Sequence, residues 1–183
     1  MKSIAVIGQG FVGGSLTTVF AERGFVVYAY DKAGKLAVGA TKLPIVNIRT
    51  RVLAGVLGEK PDAAEWTALE QFVHACEEQK NFTNIYFVCL PTPMFDDGSA
   101  DLSIVDGVLS ELSTIPGRRI AVIKSTVPPG STEAWNKRFE STGLRVIFNP
   151  EFLTEANALD DMRNQNRIIL GGPRPWINSV KQV

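Results

Sequence analysis

"SIAVIGQGFVGGSLTTVFAERGFVVYAYD", Ser3 to Asp31, decides the fold. A short apolar, β-rich run stops at Gly8, apolar side chains then recur at helical spacing until Gly24, and a continuous apolar run ends at Asp31. Continuous rather than alternating apolar residues mark a parallel strand covered on both faces. The stretch therefore reads as strand, tight turn, helix, strand. Gly8, Gly10 and Gly13 form G-x-G-x-x-G at the turn. Gly8 permits the turn, Gly10 lets a phosphate approach, and Gly13 lets helix and strand pack. Gly8, Gly10, Phe11, Val12 and Gly13 are the expected cofactor-binding residues here, where backbone amides and the positive helix end face a pyrophosphate. Asp31, closing the second strand, is placed to accept hydrogen bonds from the adenosine ribose hydroxyls and to repel a 2′-phosphate, which favours NAD over NADP. Lys32 beside it joins the cofactor-binding set and is the one feature that keeps NADP open.

Outward from this unit the pattern repeats. A helix is predicted over residues 63–79, with Trp66, Leu69, Phe72, Val73 and Cys76 on one face. NIYFVCLPTP and RRIAVIKSTVPPG each give an apolar strand ending in a proline turn, followed by predicted helices over 101–112 and 131–142. LRVIFNPEF and NRIILGG supply two further strands. Strands alternating with helices of this length predict an α/β fold, a doubly wound and mainly parallel Rossmann-type sheet forming a single domain over residues 1–172, with 173–183 as a C-terminal tail. Residues 33–62 show no clean period. Ligands on such sheets lie beyond the carboxyl ends of the strands, where the glycine loop, Asp31 and both proline turns fall.

The totals narrow the partner. Lys plus Arg is 19 and Asp plus Glu is 19, so no net field steers the chain toward nucleic acid or an anionic membrane. Two cysteines without C-x-x-C spacing and a single histidine give neither a disulfide framework nor a metal site. The start MKSIAVIGQG is not a signal peptide and no apolar stretch is long enough to span a bilayer, so a cytoplasmic protein with a small-molecule partner is expected.

"NPEFLTEANALDD", Asn149 to Asp161, places Glu151 and Glu155 four residues apart, the spacing that brings two side chains onto one face of a short helix. Like charges so placed repel, and the pair reads either as two solvated surface carboxylates or as a site whose burial and mutual charge raise a pKa into the range of a base. Thr92 and Thr126, each just ahead of a proline, read equally as ordinary turn residues.

VCLPTP (88–93), DDGSADLSIVD (96–106), KSTVPPGST (124–132) and FNPEFLTEANALDDMRNQNRIILGG (148–172), in that order behind the glycine loop, resemble the UDP-glucose/GDP-mannose dehydrogenase family. The resemblance implies an N-terminal Rossmann-type NAD domain of enzymes that oxidise the 6-hydroxymethyl group of a nucleotide sugar to a carboxylate, using two NAD and a cysteine thioester. It further implies that Pro91 and Thr92 border the cofactor and that Thr126 touches it and helps hold the attacking water. By the same resemblance, Glu151 is the general base of thioester hydrolysis and Glu155 stands at the nicotinamide and substrate side. Thr154 and the Asn164 to Asn166 triplet depart modestly from the family pattern. The family's central and C-terminal domains, with a catalytic Lys, Asn and nucleophilic Cys, lie beyond this sequence. Cys76 and Cys89 read as structural thiols, and Lys124 as a structural residue of its strand. The expected partners are NAD, a nucleotide sugar and a complementing cysteine-containing chain. The alternative is a free-standing NAD-binding module, and a β-hydroxyacid-type dehydrogenase domain fits the sequence less well.

Overall fold

A computed structural model describes residues 1–41 and 67–183. Strand β1 (Ser3–Ile7) leads through the glycine loop into helix α1 (Phe11–Glu22), and β2 (Val26–Tyr30) follows, so the opening βαβ reading holds. Gly8 at φ 89° and Gly24 at φ 86° make the two turns in a backbone region that a side chain would strain. The later elements are β3 (Ala40–Thr41), α2 (Ala68–Glu77), β4 (Phe82–Val88), α3 (Ser103–Thr114), β5 (Arg119–Ile123), α4 (Ser131–Arg138), β6 (Leu144–Phe148), α5 (Ala158–Arg163) and α6 (Arg174–Val180).

Among the described residues the sheet order is β3-β2-β1-β4-β5-β6, and each neighbouring pair is parallel. Alternate side chains feed two cores. Ala5, Ile7, Tyr86, Val88, Ala121 and Ile123 pack on the face covered by α2, α3 and α4. Ile4, Val6, Ile85, Phe87, Val122 and Ile147 pack on the face covered by α1, α5 and α6. Burial on both faces is why these strands read as unbroken apolar runs. The strand order reverses between β1 and β4, and at that switch a crevice opens beyond the carboxyl ends.

Several expected boundaries change for local reasons. Helix α2 begins at Ala68 because Thr67 caps it: the Thr67 hydroxyl accepts from Glu70 N–H while the Glu70 carboxylate accepts from Thr67 N–H. Trp66 and the earlier part of that predicted helix lie outside the described residues, as does most of the stretch after Ala33 beyond the two-residue β3. Helix α3 starts two residues later than predicted, where Asp101 accepts from Ser103 N–H at 2.8 Å. Helix α4 is shorter than predicted: the Thr142 hydroxyl accepts from Leu144 N–H and turns the chain into β6.

NRIILGG does not form the predicted strand. Its ladder is one antiparallel bridge, Phe148 with Gly171. The Asn149 side chain donates to the Ile169 carbonyl at 2.9 Å, occupying a group a strand would have used, and Pro173 has no N–H to continue the ladder. The final residues, expected as a tail, contain α6, whose Val180 is buried in the second core.

Candidate functional site

The carboxyl edge is built by extending the ladder one residue past each strand. Gly8 N–H donates to Tyr30 O, Cys89 N–H to Ile7 O, Lys124 N–H to Val88 O and Asn149 N–H to Ile123 O, all at 2.8–2.9 Å. A cleft of about 920 Å³ lies on this edge. Its lining includes Gly8, Gly10, Phe11, Val12, Asp31, Lys32, Pro91, Thr92, Thr126, Glu151 and Glu155, so the structure gathers every predicted site residue there except Gly13.

Gly13 lies beneath the loop. A Cβ at this position would stand 1.9 Å from Gly8 O, so the absence of a side chain is what lets α1 close on the end of β1. A Cβ on Gly8 would stand 2.3 Å from Cys89 O, which shows how closely the turns after β1 and β4 press together. Gly10 differs: a Cβ there would meet nothing within 4 Å, so its backbone faces open space at the start of α1. That exposed backbone fits a diphosphate. Gln9 holds the loop from behind, bonding Thr17 through its amide and accepting from Ala37 N–H.

Asp31 accepts from Gln9 N–H at 2.9 Å and from Ala33 N–H at 2.8 Å. The carboxylate thus fixes the glycine loop and its own turn, and each oxygen keeps a further lone pair for a ligand hydroxyl. Glu111, from α3, lines the same end of the cleft and accepts from the Thr67 hydroxyl, an acidic group the sequence reading did not single out.

The two proline turns are laced together. Ser125 Oγ accepts from Leu90 N–H and donates to Leu90 O, and Thr92 Oγ1 donates to Thr126 O at 2.8 Å. Thr92 and Thr126 therefore act as turn residues and as cleft lining at once.

Glu151 and Glu155 share the cleft but not a helix. Residues 149–154 form no helix or strand, Thr154 is extended, and Glu155 opens a 3-10 turn, Glu155–Asn157. Pro150 disfavours a helical Asn149, and Thr154 gives both its N–H and its hydroxyl to Asp161, which holds the chain out of a helix. Burial pushes the Glu151 carboxyl above the usual carboxylate range, opposed by the Lys124 ammonium. Among the described residues Glu151 Oε2 is buried without a hydrogen-bond partner. The sequence expectation invoked a like-charged neighbour as well; burial is the cause seen here. Cys89 lies one residue beyond β4 rather than inside it, and burial pushes its thiol up to about 12. Lys124, read from sequence as structural, lines the cleft while only 2% exposed.

Residues 2–181 match the UDP-glucose/GDP-mannose dehydrogenase family, NAD binding domain. The chain belongs to that family. A UDP-glucose 6-dehydrogenase of Pseudomonas aeruginosa is 33% identical over 177 residues, covering 92% of this chain and 38% of the relative. One from Bacillus subtilis is 31% identical over 180 residues, covering 93% and 37%. The structure of a UDP-glucose dehydrogenase from Pyrobaculum islandicum superposes with a TM-score of 0.62 at 27% identity, over all of this chain and 44% of that one. The chain thus spans less than half the length of these relatives. The dinucleotide indicated for a domain of this family is NAD. Among the described residues no cluster suits a metal ion, and no helix is long and apolar enough to cross a membrane.

Proposed function

We propose that this chain is the NAD-binding half of a nucleotide-sugar 6-dehydrogenase, taking the pyrophosphate on Gly8, Gly10, Phe11 and Val12 and the adenosine ribose on Asp31. In this reading Lys32 flanks the ribose, Pro91, Thr92 and Thr126 border the nicotinamide side, and Glu155 faces nicotinamide and sugar together. Bound on these residues, NAD would supply the hydride acceptor for oxidation of the sugar carbon. The chain's own residues orient that exchange and supply a carboxylate, Glu151, with Thr126, to position and deprotonate a water for the hydrolytic step. The observation that carries the proposal is the shared cleft: one cavity joins the open Gly10 backbone, Asp31 and a carboxylate oxygen buried without a partner. Unpartnered buried polar atoms are costly, and sites of chemistry are where they persist.

The unpaired cysteines Cys76 and Cys89 fit a reducing compartment, and we place the protein in the cytoplasm. Neither thiol suits covalent catalysis, since burial holds both in the neutral form. A nucleophilic thiol then comes from a second half, and the chain alone binds NAD without turnover. The test is NADH formation at 340 nm with UDP-glucose or GDP-mannose. No rate is expected from the chain alone, and a rate is expected when a cysteine-containing domain of the family is added. Steady turnover by the chain alone would overturn the proposal.

A further inference from the structure

Lys124 is the buried group that the proposed function leaves without a task. It follows β5 and continues the face on which Ile120 and Val122 pack into the second core, yet it ends in an ammonium. At 2% exposure its one side-chain hydrogen bond among the described residues is to Asn149 Oδ1, at 3.4 Å, long for a charged donor. Asn149 is itself fixed, donating its side-chain amide to Ile169 O and its backbone N–H to Ile123 O. An ammonium has three protons to place, and Asn149 Oδ1 is the one side-chain acceptor it meets among the described residues. Across the cleft floor stands Glu151, whose Oε2 is buried without a partner. A buried cation short of acceptors and a buried carboxylate short of donors line one cavity.

We propose that Lys124 is a positioning residue, the counter-ion of Glu151 in the cleft floor. The proposal rests on the reading of Glu151 as the water-activating carboxylate. A base must be ionised to take a proton, and a half-buried carboxylate standing alone would hold its own. Lys124 keeps Glu151 charged from within the protein without forming an ion pair within 4 Å, so Oε2 is not taken up by the ammonium. The other titratable groups of the cleft are Cys89, from the turn after β4, Glu155, from the 3-10 turn, and Tyr30, Asp31, Lys32, Lys35 and Glu111; on its other side Lys124 borders a second cavity lined by Arg23, Arg174 and Lys181. Burial and the two acidic neighbours pull Lys124 in opposite directions: desolvation lowers its pKa, and Cys89 and Glu151 raise it.

Such coupling is reciprocal, so it can be read from both members without any turnover. The Glu151 carboxyl is titrated by carbon-13 NMR in the unaltered chain, in Lys124→Met and in Lys124→Arg, its signal assigned by loss in Glu151→Gln. The Lys124 side chain is titrated in the unaltered chain and in Glu151→Gln. The Glu151 midpoint is expected to rise in Lys124→Met, by on the order of one pH unit, to return toward the original value in Lys124→Arg, and the Lys124 midpoint to fall in Glu151→Gln by the same amount. An unmoved Glu151 midpoint in folded Lys124→Met, or an unmoved Lys124 midpoint in Glu151→Gln, would overturn the proposal. The second arm decides even if Lys124→Met fails to fold. Calorimetric titration with NAD separates the two readings: absent binding defeats the proposed function, whereas intact binding with uncoupled titrations defeats the counter-ion alone.

Discussion

Arg119 and Lys124 stand at the two ends of one strand, the first opening β5 and the second just past its close, and both are almost fully buried, at 1% and 2% exposure. Arg119 is well supplied with acceptors: Nη2 donates to Glu77 Oε2 at 2.7 Å and to Pro116 O, Nη1 donates to Ile115 O, and Nε lies 2.7 Å from Glu77 Oε1 as an ion pair without hydrogen-bond geometry. Among the described residues the Lys124 ammonium has one long hydrogen bond. A guanidinium fork matched to a carboxylate seals the amino edge of the sheet, whereas an under-satisfied ammonium is left at the edge where ligands enter. Two buried charges on one strand thus mark which edge is structure and which is site.

Breaking the first arrangement should have the largest effect. Arg119→Met orphans the half-buried Glu77 and should cost about 3–5 kcal/mol, as removal of one member of a buried pair does. Lys124→Met, of similar length, should change stability by no more than about 1 kcal/mol, because a long contact is lost and an apolar chain fills its place. Urea denaturation of both variants is the check, and equal losses would erase the distinction between the two edges. Cys89 sharpens it. The nearby Lys124 favours the thiolate, yet burial prevails and thiolate forms only as pH rises toward about 12. Alkylation of Cys89 at pH 8, followed by peptide mass spectrometry, should be roughly 10²-fold slower in the native than in the denatured chain.

Two smaller effects divide the cleft. Asp31→Ala removes a charged acceptor from the ribose end and should weaken NAD binding by about 1.5–3 kcal/mol, roughly tenfold to a hundredfold, measured by calorimetry. NADP binding as tightly as NAD to the unaltered chain would show that Asp31 does not face the ribose. Glu151→Gln changes the hydrolytic end and should leave NAD affinity within about threefold, less than 1 kcal/mol.

The sequence carried the glycine end well because its requirements are steric and local. A turn at positive φ and a helix whose Cβ would strike Gly8 O leave glycine as the residue that fits, so spacing alone reveals them. NRIILGG has the same apolar signature as the true strands, but strand formation depends on partners, and the Asn149 side chain and Pro173 limit it to one bridge. The Glu151 and Glu155 spacing signals a shared face only if a helix already exists at Glu151. Bonds from Thr154 to Asp161, seven residues onward, prevent it. For Lys124, period-two alternation gives the face but not the depth. That its ammonium stays inside depends on β6 and the segment after it.

The one-residue extension of the ladder at Gly8, Cys89, Lys124 and Asn149 has an evolutionary consequence. Each of these positions is anchored through its main chain to the neighbouring strand, so beyond Gly8, which admits no side chain, the rim is a row of sockets whose fittings can be exchanged. A mutation at Cys89 or Lys124 alters the chemistry presented to the ligand while the thread holding the socket stays tied. Descendants of such a domain are free to trade one reaction for another at this row without first solving the folding problem again.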